Sequence, residues 1–242
     1  MKIAYKNPVP VLIDALFPRR CPVCSGIVVP RGRLICPDCL KKLSFVKSPV
    51  CKKCGKEILN ETAEYCFDCT RHRHSFEYGT ALFNYDDILK KSMAAVKYKN
   101  KREYLDFYGE AALYFCGDRL KAMGADVLVP VPVHPSRLRS RGFNQAEVLA
   151  QRMAERLSLP VCTDILKRDK KTEPQKGLTP QERLKNLEKA FTAAPVPERI
   201  KSVILVDDIY TTGSTIEACT RVLKQAGVKK VYFFTVCIGQ GQ

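Results

Sequence analysis

The chain has 242 residues, a formal charge of +16 and twelve cysteines. That length holds one moderate domain and a small one. It contains no run of 18 apolar residues, so no membrane-spanning helix is expected. The excess of Lys and Arg favours phosphate-bearing partners, either nucleic acid or a small anion.

Residues 8–17 read as a short amphipathic helix with Val11, Leu12, Ala15 and Leu16 on its apolar side, stopped by Pro18. Its apolar piece is broken by Pro10 and Asp14 and no small-residue cleavage site follows, so no signal peptide is expected and the chain is placed in the cytoplasm.

Eight cysteines then fall into four Cys-x-x-Cys pairs: Cys21 and Cys24, Cys36 and Cys39, Cys51 and Cys54, Cys66 and Cys69. The first two pairs recur 30 residues on (21 to 51), an internal repeat. Paired thiols in a cytosolic chain argue for metal rather than disulfides. Two knuckles close one four-cysteine zinc site, and structural zinc supplies about 10–16 kcal/mol in small peptides, enough to order segments too short to bury a core. Sequential pairing gives one zinc per repeat; a crossed pairing, first pair with third, is the alternative. Residues 28–35 suggest a hairpin turning at Gly32. His72 and His74 read as exposed linker residues.

Residues 71–79 form the expected boundary between a ribbon part, 1–75, and an α/β part, 76–242. A strand follows at 80–85, then a helix to 97 capped by Asp86, and a second helix over 103–123. Cys116, Cys162, Cys219 and Cys237 read as core thiols. A buried strand at 126–131 breaks into the proline-rich loop Pro130, Pro132, Pro135, which can accommodate a cis bond. Arg137, Arg139 and Arg141 after it suit bidentate contacts to phosphate, with His134 a lesser candidate. A helix over 144–157, a strand over 161–166, a charged loop over 168–178 and a capped helix over 179–189 complete the middle.

Residues 203–206, Val-Ile-Leu-Val, read as a strand buried on both faces. It ends in Asp207 and Asp208, followed by Tyr210, Thr211, Thr212, Gly213, Ser214 and Thr215 and a helix over 216–225. Strand, tight turn and helix leave amide donors at a helix N-terminus, which seats an anion. Thr211, Thr212, Ser214 and Thr215 add hydroxyls, and Gly213 permits close approach. Two acids beside a phosphate seat call for a ligand that also carries hydroxyls, a metal or developing positive charge. A last strand runs over 228–237.

The Asp-Asp-x-x-Thr-Thr-Gly run after an apolar strand resembles the PRPP motif of type I phosphoribosyltransferases. The resemblance implies a doubly wound parallel α/β sheet, with Asp207 and Asp208 on the ribose hydroxyls and Thr211, Thr212, Gly213, Ser214 and Thr215 around the 5′-phosphate. It also places Pro132, Arg137, Arg139 and Arg141 on pyrophosphate, with Mg²⁺ entering alongside PRPP. Arg168 and Gln175 would lie in a lid, and Arg183 and Asn186 toward the acceptor. The words Arg141-Gly142-Phe143-Asn144-Gln145, the Cys-x-x-Cys array and this motif together are similar to the ComF family of competence proteins. That similarity implies a role in natural transformation, with single-stranded DNA and a ComFA-type helicase as partners, either as a transferase or as a non-catalytic PRPP or 5′-phosphate sensor.

Overall fold

A computed structural model describes residues 17–169 and 187–239. The expected helix over 8–17 apart from residue 17, the charged loop beyond Asp169, most of the helix over 179–189, and with them Gln175, Arg183 and Asn186, lie outside the described residues.

Four parallel strands form the central sheet in the order β1, β6, β5, β2: β1 is Gly79–Asn84, β2 Val127–Pro130, β5 Ser202–Tyr210 and β6 Lys230–Ile238. Val203, Ile204, Leu205 and Val206 are wholly buried, as an unbroken apolar run in a strand covered on both faces must be. The strand does not stop at the acids. It stays paired to β6 as far as Tyr210, opposite Ile238, so Asp207 and Asp208 lie inside it.

Helices α3 (Asp87–Tyr98), α4 (Tyr104–Ala122) and α6 (Gln145–Leu157) share one core with Leu82, Ile204, Val206 and Phe234. Helix α7 (Ser214–Gln225), with the small antiparallel pair β3 (Leu166–Arg168) and β4 (Phe191–Ala193), closes a second core on Val203, Leu205 and Phe233. Asp86 caps α3, its side chain accepting from the Leu89 amide, as its place before the apolar periodicity predicts.

Two elements depart from expectation. The strand over 161–166 reduces to one parallel bridge, Val161 to Leu128, before β3 pairs elsewhere; exposed Thr163 and Asp164 interrupt it. The proline loop contains helix α5 (Pro135–Arg141). Pro135 occupies its first turn, where a fixed φ and a missing N–H cost nothing, and His134 is its N-cap, Nδ1 accepting from the Ser136 amide. Among the described residues the cis bonds precede Pro30 and Pro49, not this loop.

The cysteine repeats grip the edge of the sheet. Ser44 to Val46 lie along the free side of β1: the Val46 amide donates to the Leu82 carbonyl and the Asn84 amide to that of Ser44, with an antiparallel bridge from Phe45 to Phe83. An edge strand is thereby paired rather than left open. The first repeat, with short helix α1 (Pro37–Lys41), sends Cys21, Leu34 and Leu43 into the α3/α4/α6 core. The second, with α2 (Phe67–Arg71), sends Cys51, Cys54 and Ile58 into the α7 core. The hairpin expected over 28–35 is not a ladder; the turn at Gly32 has φ +80°, while strand pairing in this repeat includes the single bridge from Arg20 to Ile27.

The second repeat is also tied to α7. Ser75 donates from its amide (2.8 Å) and its hydroxyl (2.7 Å) to the buried Glu217 carboxylate, and Arg221 Nε adds a third bond at 2.7 Å. His74 stacks on Phe76 at 4.8 Å with Nδ1 3.7 Å from Glu217, so it is part of this clasp rather than an exposed linker residue. Burial opposes the charge on Glu217, but His74, Ser75 and Arg221 outweigh it and hold the carboxyl down at about 2. A depressed carboxyl stabilises the fold fully above its ordinary value of 4.5, and the contribution is lost as pH falls toward 2. Glu217→Ala should lower unfolding free energy by roughly 2–3 kcal/mol at pH 7. Denaturant melts should show that deficit shrinking below pH 4; a deficit independent of pH would contradict the charge-based clasp.

Candidate active site and metal centres

In chain order β2 is followed outward to Val161 through α6, whereas β5 is followed through α7 to β6 on its other side. The direction of winding therefore reverses between β2 and β5, and doubly wound sheets bind ligands in the crevice at the carboxyl ends of such neighbours. One lip is the loop after β2, with Pro132 and α5. The other is the turn after β5, residues 211–215, leading into α7.

Asp207 and Asp208 sit in this crevice, 8% and 5% exposed. Neighbouring residues on a strand point to opposite faces. Asp207 faces the side of Cys219 and Arg168, and Asp208 faces that of Lys97. Burial, and next the charge of Asp208, push Asp207 up to about 8. Lys97 Nζ stands 2.6 Å from Asp208 Oδ2. Burial works against its ammonium, but Asp208 more than compensates and raises its pKa.

Helix α3 explains how Lys97 arrives there. The chain leaves β1 at the carboxyl edge, where the Tyr85 amide bonds the Ile238 carbonyl. Lys97, near the other end of α3, is again at that edge, so α3 runs across the top of the sheet and α4 makes the return.

Each residue of the Arg-Gly-Phe-Asn-Gln run has a defined part. Arg141 Nε donates to the Lys97 carbonyl at 3.1 Å, and its guanidinium also bonds the Gln145 side-chain oxygen and lies over Tyr98. Gly142 ends α5 at φ +79°. Phe143 lies under Arg102. Asn144 caps α6 through the Ala146 amide and donates to the Val131 carbonyl, fixing the end of β2. Arg137 and Arg141, one turn apart, share a face, and Arg137 also acts on Arg168. Arg139, two residues from each, projects away from that face and is exposed. Arg168, expected in the charged lid loop, is the last residue of β3 with its guanidinium over Phe191.

At the second lip, Gly213 takes φ +77° and caps α7, with the Glu217 amide donating to its carbonyl. A Cβ on Gly213 would lie 2.3 Å from the Tyr210 hydroxyl, so only glycine fits. Thr211 and Thr212 are exposed, Ser214 and Thr215 half-buried, and the Thr212 and Ser214 hydroxyls bond each other at 2.9 Å. The structure thus joins Asp207, Asp208 and residues 211–215 to Arg137, Arg141 and Arg168 around one crevice. Lys97, Gln145, Asn144 and Tyr210 were not foreseen as parts of it. Asn144 and Gln145 were at least marked by their motif, whereas Lys97 reads as an ordinary helix-end lysine.

The cysteines form two groups, 21/24/36/39 and 51/54/66/69, whose sulfurs all lie within 4.8 Å of one another. Pairing is sequential, and the crossed arrangement is excluded. Four thiolates at about 2.3 Å from one zinc stand about 3.8 Å apart, and Cys54 and Cys66 are 3.6 Å apart. The residues fit structural zinc. In the second group Tyr210, whose hydroxyl meets Gly213, lies close enough to feel Cys54, Cys66 and Cys69.

Fold and site define a phosphoribosyltransferase-type α/β domain carrying a double zinc ribbon. Residues 12–70 match the family described as "Double zinc ribbon domain" and residues 143–242 the "Phosphoribosyl transferase domain". Competence protein F of Haemophilus influenzae is 30% identical over 221 residues, 89% of this chain and 95% of its own. Competence protein ComFC of Bacillus subtilis is 28% identical over 80% of this chain and 79% of its own. DNA utilization protein YhgH of Escherichia coli K12 is 24% identical over 84% and 89%. This chain belongs to the ComF family of competence proteins. No helix among the described residues is long and apolar enough to cross a membrane.

Burial of Asp207 makes the stability of the fold depend on pH. Unfolded, the carboxyl ionises near 3.8; folded, it keeps its proton to about 8. The folded form binds more protons in between, so stability falls as pH rises through that window. Asp207→Asn should therefore raise Tm by a few degrees at pH 8 and by less at pH 5. A Tm lowered at pH 8 would contradict the burial argument.

Proposed function

We propose that this protein binds PRPP with its Mg²⁺ and transfers the ribosyl 5-phosphate to an acceptor, in a cytoplasmic step of DNA uptake. One observation carries this reading: the acid pair and the glycine-hydroxyl turn occupy one lip of the sheet's switch point, and an arginine face occupies the other.

Asp207 and Asp208 hold the ribose 2′- and 3′-hydroxyls. Thr211, Thr212, Gly213, Ser214 and Thr215, with the first amides of α7, wrap the 5′-phosphate. The loop at Pro132 and the cations Arg137 and Arg141 take pyrophosphate, Arg168 closes from β3, and Arg139 guides anions from outside. Gln175, Arg183 and Asn186 complete the lid and acceptor side. Residues 1–75 form the ribbon part and 76–242 the transferase part.

In the transfer, an electron pair of the acceptor forms the new bond to C1′. The C1′–O bond to pyrophosphate breaks, and pyrophosphate leaves with the two electrons of that bond while the acceptor gives up a proton. Positive charge develops on the ribose ring, so carboxylates beside it and arginines at the leaving group both stabilise the transition state. Because the diol is best held by an ionised Asp207, PRPP affinity should rise with pH toward about 8.

Calorimetric titration of zinc-loaded protein with PRPP and Mg²⁺ tests the reading. Binding in the micromolar range is expected, and Asp207→Asn should weaken binding or turnover by roughly 30- to 1000-fold, about 2–4 kcal/mol. Equal affinity and activity in the variant would remove the site assignment.

A second reading keeps the pocket as a PRPP or 5′-phosphate sensor and gives the surface to single-stranded DNA and a ComFA-type helicase. The charge of +16 favours it. Affinity for a single strand should then fall steeply between 50 and 200 mM salt, by orders of magnitude if several phosphates are contacted. No binding at low salt would dismiss it.

A further inference from the structure

Among the described residues, the ion pair of the acid pair is made by Lys97, a residue outside every recognised motif of the chain. Its ammonium is 2.6 Å from Asp208 Oδ2, with its side chain 20% exposed and that of Asp208 7%. Its carbonyl accepts from Arg141 Nε, so the same residue joins α3 to the arginine lip through its backbone and to β5 through its side chain.

The other titratable groups facing the acids do not take its place. Cys219 on α7 and Cys237 on β6 are buried thiols pushed well up, hence neutral. Tyr85, at the turn after β1, is likewise raised by burial. Arg141 acts on Asp208 from α5 and Arg168 on Asp207 from β3, but their guanidiniums are engaged with Gln145 and Phe191.

We propose that Lys97 is a positioning residue of this site: by its ion pair it fixes the Asp208 carboxyl in place, so that the acid pair presents its oxygens to the hydroxyl hydrogens of a ribose diol. The diol part rests on the PRPP reading above, whereas the ion pair stands without it. Two consequences separate Lys97 from a merely structural lysine. Its own titration depends on Asp208. Its removal, taking away the cation that partly offsets the burial of Asp207, raises the pH at which the pair becomes competent.

The experiment has two arms. In ligand-free protein labelled with ¹³C-lysine, the Cε signal of Lys97, assigned by its absence in Lys97→Arg, should titrate above an ordinary lysine and move down in Asp208→Asn. PRPP–Mg²⁺ affinity is then measured against pH for wild type, Lys97→Met and Lys97→Arg, each with its zinc content verified. For Lys97→Met the midpoint should move up by roughly 1–3 pH units, with binding at pH 7 weakened about tenfold or more. Lys97→Arg should restore most of both. Weaker binding with an unmoved midpoint would overturn the proposal, as would a Lys97 signal indifferent to Asp208→Asn. Should Lys97→Met not fold, the labelling arm decides alone. Absence of PRPP binding in wild type would strike the PRPP reading, and the labelling arm would still decide the ion pair.

Discussion

Two carboxylates buried side by side cannot both be charged without help, and much of the architecture around β5 answers that constraint. The strand must be covered on both faces to hold Val203 to Val206, so the acids that continue it are buried as well. The protein meets the cost in two ways: Asp207 keeps its proton to about 8, and Asp208 is given Lys97. Helix α3 crosses the edge of the sheet and brings that lysine over it. The Arg-Gly-Phe-Asn-Gln corner then locks the helix end through Arg141.

The zinc ribbons are part of the same construction rather than an appendage. Residues 44–46 pair with the free edge of β1, and the two cysteine repeats reach into the cores on opposite faces. The second repeat lies beneath the turn at residues 211–215, linked to it through Tyr210 under Gly213 and through Ser75 on Glu217. Gly55 of its knuckle is so close to β1 that a Cβ there would stand 2.8 Å from the Gly79 carbonyl oxygen. Chain order placed the ribbons before the α/β part, but their packing makes them a clamp upon it.

What was legible in the sequence was what periodicity and spacing encode. The buried run 203–206, the Asp86 cap, the long helices and the sequential cysteine groups follow from local physics, and each is present. The misses come from contacts between residues far apart in the chain. Lys97 and Asp208 are 111 positions apart (208 less 97), and no local pattern marks such a pair. His74 looked like linker until Phe76 and Glu217 enclosed it. Helix α5 was hidden because the prolines at 130, 132 and 135 suggested a loop, although Pro135 is placed where a helix begins. The continuation of β5 past the acids depends on the length of β6, a tertiary fact.

The most direct test of the account is a crystal structure of the zinc-loaded protein grown with PRPP and Mg²⁺. The account predicts the ribose diol within hydrogen-bond distance of Asp207 and Asp208, the 5′-phosphate on the amides and hydroxyls of residues 211–215, and pyrophosphate against Arg137 and Arg141. Ligand bound elsewhere, or a diol turned away from the two carboxylates, would contradict it.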